Sequence, residues 1–175
     1  MIKSNIITLK YTLELQEKYS SKFDCGNWNI NSFIKERISL DSFFGTTYVL
    51  IANDELIGFY NISTGYIEQE KDEIYERQGG AIYINYLAID VKYQKFKYNE
   101  DWYMSDLLLN DCISRCISIQ DNIIGFSFIT LSSTKEGYYL YERNGFSQLD
   151  DDMYFAKNSG EQYCTSMFLA MDFEE

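Results

Sequence analysis

The chain has 175 residues, 46% of them apolar, and carries 27 acidic against 15 basic side chains, a net charge of −12. That length fits a single domain, the apolar content excludes a disordered chain, and the charge disfavours broad binding to nucleic acid or anionic membranes. There is no His and no Pro, so a His-based triad, a His zinc site and a His general base are all excluded.

In chain order, Ile6 to Leu9 predicts a short strand and Thr12 to Tyr19 a short helix. Met1 to Tyr19 has charged residues throughout and no secretory apolar core. Phe23-Asp24-Cys25-Gly26 reads as a turn, and Cys25 has no His to activate it as a nucleophile. Asn29 is placed to cap an amphipathic helix reaching about Leu40, with Ile30, Phe33, Ile34 and Ile38 on one face. Thr46 to Ala52 and Leu56 to Gly65 predict a hairpin that turns at Asn53-Asp54. The acid-rich segment Glu68 to Arg77 is expected to be a solvated loop or helix face. Ala81 to Asp90 is a continuous apolar run, the pattern of a central strand.

Met104 to Ile119 predicts a helix with a wide apolar stripe. Cys112 and Cys116 fall on that stripe at i and i+4, as small core residues rather than a metal pair. No metal site is expected. Ile123 to Leu131 predicts a buried strand and is too short to span a bilayer. Ser133 and Glu136 have capping-box spacing, and the helix they would open ends at Gly145. Thr165 to Met171 alternates as a last strand. The expected class is α/β of the α+β type, in one domain over residues 1–175, with reduced cysteines and a cytoplasmic location.

Two stretches suggest chemistry. Lys92, Lys95 and Lys97 cluster just after the central strand, where a phosphate would find positive charge in an otherwise acidic chain. Gly137 and Tyr141 are i and i+4, so they share a helix face. The missing side chain leaves room for a thin ligand, and the phenol could protonate a thiolate leaving group. With 16 Tyr in the chain, packing aromatics are the competing reading.

The order of four segments resembles the GNAT superfamily of acyl-CoA-dependent N-acetyltransferases, and most of all its branch of acetyltransferase toxins. The segments are Phe23-Asp24-Cys25-Gly26 before an amphipathic helix, Leu87-Ala88-Ile89-Asp90 with Tyr93-Gln94, Leu108-Leu109-Asn110-Asp111, and Leu140-Tyr141-Glu142-Arg143-Asn144-Gly145-Phe146. The resemblance implies a mixed, mostly antiparallel, splayed sheet flanked by about four helices. It implies acetyl-CoA as cosubstrate, with the backbone of Leu87, Ala88 and Ile89 on one side of the pantetheine arm. Thr134 and Gly137 would lie on the other side, and Tyr141 would be the acid. Gln94, Lys95, Lys97 and Ser105 would face the pyrophosphate.

The sequence departs from the family where glycines normally open the helix. From Gln94 to Tyr103 there is none, and the loop is about six residues longer than the family pattern. The loop is either rebuilt around Lys95 or Lys97, or CoA affinity is lost and the chain is an interaction module. Ala81 to Ala88 holds no carboxylate, with Asn85 and Tyr86 there instead, so no general base is assigned. The expected acceptor is a small amine or peptide amine. An aminoacyl-tRNA acceptor, which the toxin branch implies, is opposed by the charge, and nucleic acid is not an expected partner. A homodimer is left open.

Overall fold

The computed structural model describes residues 6–155 and 164–171. Among them the elements run β1 (Ile7–Lys10), α1 (Leu13–Tyr19), α2 (Trp28–Lys35), β2 (Thr46–Ala52), β3 (Glu55–Lys71), β4 (Ile74–Ile89) and α3 (Met104–Asn122). They continue with β5 (Phe128–Ser133), α4 (Tyr138–Arg143), β6 (Ser147–Gln148), β7 (Met153–Phe155) and β8 (Thr165–Ala170). This is a mixed, mostly antiparallel α+β arrangement with four α-helices, the predicted class. The chain divides into two compact units, 1–63 with 85–112 and 64–84 with 113–175. No described helix is long and apolar enough to cross a membrane.

In the first unit the strand order is β1-β2-β3-β4, antiparallel at β1–β2 and β2–β3. Asn53 and Asp54 both have left-handed φ, 52° and 59°, which is the two-residue turn that suits the twist of a hairpin. The core gathers Phe23, Phe33, Ile34, Val49, Ile51, Phe59 and Ala88. Phe59 meets Phe23 edge-on at 5.5 Å and stacks on Phe33 at 6.1 Å.

The cap of α2 is Asn27 rather than Asn29. Its Oδ1 accepts from the amides of Asn29 and Ile30, and the preceding Gly26, at φ 84°, delivers the chain into the extended cap position. The helix ends at Lys35 and a 3-10 turn covers Arg37–Leu40. The buried Gln16 of α1 donates to the carbonyls of Ile34 and Glu36 at 3.2 and 2.9 Å, occupying acceptors a longer helix would need.

In the second unit β4 pairs β5 in parallel from Ala81↔Phe128 to Ile84↔Leu131. β8 is antiparallel to β5 and to β6, and β7 is antiparallel to β3. Ile67, Leu149 and Phe155 form its own core with Tyr83, Phe128, Met153 and Phe168. Glu68 to Arg77 is strand and turn, not loop or helix. Asp72 and Glu73 take left-handed φ of 52° and 65°, and β7 pairs β3 at Ile67–Gln69. Register and tertiary pairing override the poor strand propensity of the acids.

β5 begins at Phe128. The expected start at Ile123 fails because α3 runs to Asn122 and closes with the amides of Ile123 and Ile124 on the Ile119 carbonyl. Ile123 is 78% exposed. The capping box does not form either: Ser133 Oγ donates to the Thr134 carbonyl, and α4 starts at Tyr138 with Gly137 as its cap. Cys112 and Cys116 are buried and unbridged, as core residues should be. No metal-binding group of His, Cys, Asp or Glu occurs among the described residues.

Candidate functional site

Two of the four segments, Phe23–Gly26 and Leu87–Asp90 with Tyr93-Gln94, converge at the end of β4, within the first unit. Asp90 is almost wholly buried and accepts from the amides of Asp24 (3.1 Å) and Lys92 (3.0 Å). The Val91 amide donates back to the Asp24 carbonyl at 2.8 Å. Asp24 Oδ1 takes hydrogen bonds from the Gly26 amide and the Asn31 side chain, which hold its carboxyl below the usual range. Gln94 Nε2 closes the ring by donating to the carbonyls of Cys25 and Ile89, at 2.9 and 3.1 Å. The Phe23–Gly26 turn is thus a clamp on the strand end. Gln94 acts inside that clamp and spends both amide hydrogens on protein carbonyls. Burial raises the Cys25 thiol, so it is a poor nucleophile.

β4 loses its alternation just before this clamp. Asn85 donates to Asn61 Oδ1 at 2.6 Å, and Asn61 donates to Thr47 Oγ1 at 2.9 Å on the side of α2. Yet the next residue, Tyr86, stacks at 4.3 Å on Phe33 of α2. Two consecutive side chains on one side mark a break in the strand's alternation, which re-aims the backbone of Leu87, Ala88 and Ile89. Gly58 permits the close packing there: a Cβ on it would stand 2.7 Å from the Ala88 carbonyl oxygen and 2.6 Å from Ile89 Cδ1. Asn85 and Tyr86 occupy the strand positions where a carboxylate base would stand, and neither supplies one.

The glycine-free insertion forms its own small hairpin. Lys97 bridges Tyr103, the amides of Tyr98 and Asn99 donate to the Trp102 carbonyl, and Asn99 Oδ1 accepts from the amides of Asp101 and Trp102. Tyr98 and Trp102 are exposed, so these aromatics do not plug an interior cleft. The loop also changes the start of α3. The Met104 amide donates to the Phe96 carbonyl, and the buried Asp106 carboxylate accepts from the Tyr103 amide. Part of the helix N-terminus is therefore taken by the chain itself. Ser105, half-buried, sits in that first turn.

The three lysines have different partners. Lys92 pairs with Glu55 at 3.6 Å and lines a hollow of about 230 Å³ with Lys18, Lys22, Asp54 and Asp90. Lys97 donates to the Glu100 carbonyl at 3.0 Å and lies over the Tyr103 ring. Lys95 is exposed.

In the second unit Thr134, Gly137 and Tyr141 are brought together. Thr134 Oγ1 accepts from the Gly137 amide at 3.2 Å. A Cβ on Gly137 would stand 3.5 Å from both Thr134 Oγ1 and Tyr141 Cε2, and 3.3 Å from Ser133 Oγ. Tyr141 is buried, and its ring meets Phe146 edge-on at 5.7 Å. The absent side chain leaves a slot beside the phenol, the space a thin ligand arm needs.

The sequence matches no protein-family model and no curated protein. The fold has many solved counterparts. A crystal structure described as a bacterial toxin superposes with TM-score 0.70 at 23% identity, over 95% of this chain and 91% of that one. A tyrosine-to-phenylalanine mutant of the AtaT toxin, bound to the C-terminus of the antitoxin AtaR and acetyl-CoA, matches at TM-score 0.67 and 16% identity, over 95% and 93%. AtaT complexed with acetyl-methionyl-tRNAfMet matches at TM-score 0.67 and 16% identity, over 90% and 98%. These likenesses run the length of the chain, as the ordered motifs do, and they show a GNAT-like fold shared with solved toxins of the AtaT type.

Proposed function

We propose that the protein is an acetyl-CoA-dependent N-acetyltransferase that works by direct transfer. The observation that carries this reading is the Gly137 slot beside the buried Tyr141, in a fold shared with a toxin bound to acetyl-CoA. The nitrogen of an acceptor amine attacks the acetyl carbonyl carbon, the carbon–sulfur bond breaks, and Tyr141 gives its phenolic proton to the departing thiolate. The amine loses one proton to the medium or to a base that we do not assign. For the pantetheine arm we assign the backbone of Leu87, Ala88 and Ile89 in the first unit, and Thr134 and Gly137 in the second.

The pyrophosphate end is rebuilt. In place of glycine amides it relies on Lys95, Lys97 and the Ser105 turn, while Gln94 positions the loop through its two carbonyl bonds. Asp106 at the start of α3 adds negative charge there, so acetyl-CoA should bind more weakly than to a glycine-opened helix. Tyr98 and Trp102 are exposed and Phe96 is half-buried, which supports the enzyme reading as far as the first two aromatics go; the glycine-free insertion that motivates the interaction-module alternative stands.

The acceptor is an amine, and the acidic chain suits a cationic small molecule or peptide. The AtaT complex with acetyl-methionyl-tRNAfMet favours a second reading, an aminoacyl-tRNA acceptor. Calorimetric titration with acetyl-CoA, followed by thiol-release assays on a panel of amines and aminoacyl-tRNAs, separates the two. Tyr141→Phe should cut turnover at least about tenfold with acetyl-CoA affinity within about twofold. No binding at millimolar acetyl-CoA, or a fully active Tyr141→Phe, overturns the proposal.

A further inference from the structure

We infer that Asn85 receives the acceptor amine: its side-chain carbonyl oxygen, oriented by a directed chain of hydrogen bonds, accepts an N–H of the attacking nitrogen. The inference rests on the acetyltransferase reading, and every residue of the chain of bonds belongs to the first unit.

The placement follows from β4. Its pairing with β5 ends at Ile84↔Leu131, so Asn85 is the first residue of β4 beyond that pairing, and it is half-buried. On the acetyltransferase reading the pyrophosphate lies past Ile89, at Gln94 to Ser105, and the pantetheine arm follows Leu87 to Ile89. The thioester end of an arm laid in that direction falls on the N-terminal side of Leu87, at Asn85 and Tyr86. The Tyr86 ring packs on Phe33 at 4.3 Å, and the Asn85 amide supplies hydrogen-bonding groups.

The orientation of that amide is set from the interior. Thr47 is buried, and its Oγ1 stands 2.7 Å from the Ser39 carbonyl oxygen. A carbonyl only accepts, so the hydroxyl donates its one hydrogen there. The Thr47 oxygen is then the acceptor for Asn61 Nδ2 at 2.9 Å. That turns Asn61 Oδ1 toward Asn85, which donates to it from Nδ2 at 2.6 Å. The second Nδ2 hydrogen goes to Ser63 Oγ at 3.0 Å. With both hydrogens spent, Oδ1 is the group left for a ligand. Its one partner among the described residues is the Ser63 hydroxyl at 3.2 Å, and a carbonyl oxygen has a second lone pair. The chain does not reverse easily. Asn61 is 1% exposed, and a flipped amide would set its oxygen against Thr47 Oγ1 with no hydrogen between them.

A neutral amide suits this task. A carboxylate in contact would favour the ammonium form, which has no lone pair to attack with. Asn85 accepts a hydrogen bond without taking the proton. It leaves the nitrogen lone pair free for the acetyl carbon and stays uncharged through the step.

The test uses the whole chain and glycinamide as the probe amine. With CoA bound, the Asn85 side-chain amide signal in proton–nitrogen correlation spectra, assigned through the backbone, should shift saturably as glycinamide is added. In thiol-release assays with acetyl-CoA, Asn85→Ala should raise KM for glycinamide at least about tenfold, with acetyl-CoA affinity unchanged in calorimetry. Ser63→Ala, which removes only the brace on the amide, should raise that KM about threefold, and it serves alone if Asn85→Ala does not fold. The spectra decide if glycinamide turns over too slowly to assay. Acetyl-CoA that fails to bind the parent chain overturns the acetyltransferase reading and this inference with it. Normal acetyl-CoA binding with an Asn85 signal that glycinamide does not move, or with KM unchanged in the variants, overturns this inference alone.

Discussion

Asp90→Ala tests whether the clamp at the end of β4 is a structural unit. The carboxylate is buried and accepts from two backbone amides, of Asp24 and Lys92. A hydrogen bond to a charged acceptor contributes about 1.5–3 kcal/mol, and a buried amide left without a partner costs a similar amount. Some of this is offset because the buried charge no longer has to be desolvated. The net loss should be about 3 kcal/mol in urea unfolding followed by aromatic fluorescence. Asp90→Asn keeps one acceptor oxygen and should lose about half as much. The bonds from Gln94 to the Cys25 and Ile89 carbonyls remain in both variants, so the native sheet should persist in circular dichroism. If Asp90→Ala lies within about 0.5 kcal/mol of the parent, a net contribution too small for the hydrogen bonds argued here, the clamp reasoning is refuted.

Gly58→Ala should lower stability by about 1–3 kcal/mol through overpacking, because its Cβ meets the Ala88 carbonyl oxygen at 2.7 Å; it should also weaken acetyl-CoA binding by displacing that strand end, which titration calorimetry reads. Gly137→Ala has no such clash, its nearest neighbours standing at 3.3–3.5 Å, so unfolding should be unchanged while KM for acetyl-CoA rises severalfold. Tyr11 donates to the Ile34 carbonyl at 3.0 Å, and burial, the largest cause, pushes its phenol up to about 12. Its neutral form is the one the fold prefers, so its contribution is complete below pH 10 and is lost as pH rises from 10 through about 12. Tyr11→Phe should lose about 1 kcal/mol at neutral pH and show a shallower fall in Tm between pH 10 and 12.

Most elements were legible where a local signal coincided with tertiary need. The β2–β3 hairpin was readable because Asn53-Asp54 suits a left-handed turn between two apolar runs. α3 was readable because its stripe repeats over four turns. The errors fell where local signals competed. Asn27 and Asn29 are both good caps, and the choice depended on how Gly26 turns the chain. Glu68 to Arg77 is polar enough for a loop, and only pairing with β7 and the turn geometry make it strand. β6 and β7, at two and three residues, carry too little pattern to be seen alone. The role of Asp90 was equally hidden, since its partner Asp24 lies 66 residues away.

By itself the sequence determined the order of the longer helices and strands, the absence of histidine chemistry, and the i, i+4 pairing of Gly137 with Tyr141, because these depend on composition and near-neighbour spacing. Only the tertiary structure decided which polar groups meet. It bound Gln94 and Asp24 into a clamp and drew Lys92 to Glu55. It also turned an acid-rich segment into strand and turn. Those outcomes depend on contacts between residues far apart in the chain, where the net charge of −12 gives an average field and says nothing of which carboxylate faces which partner.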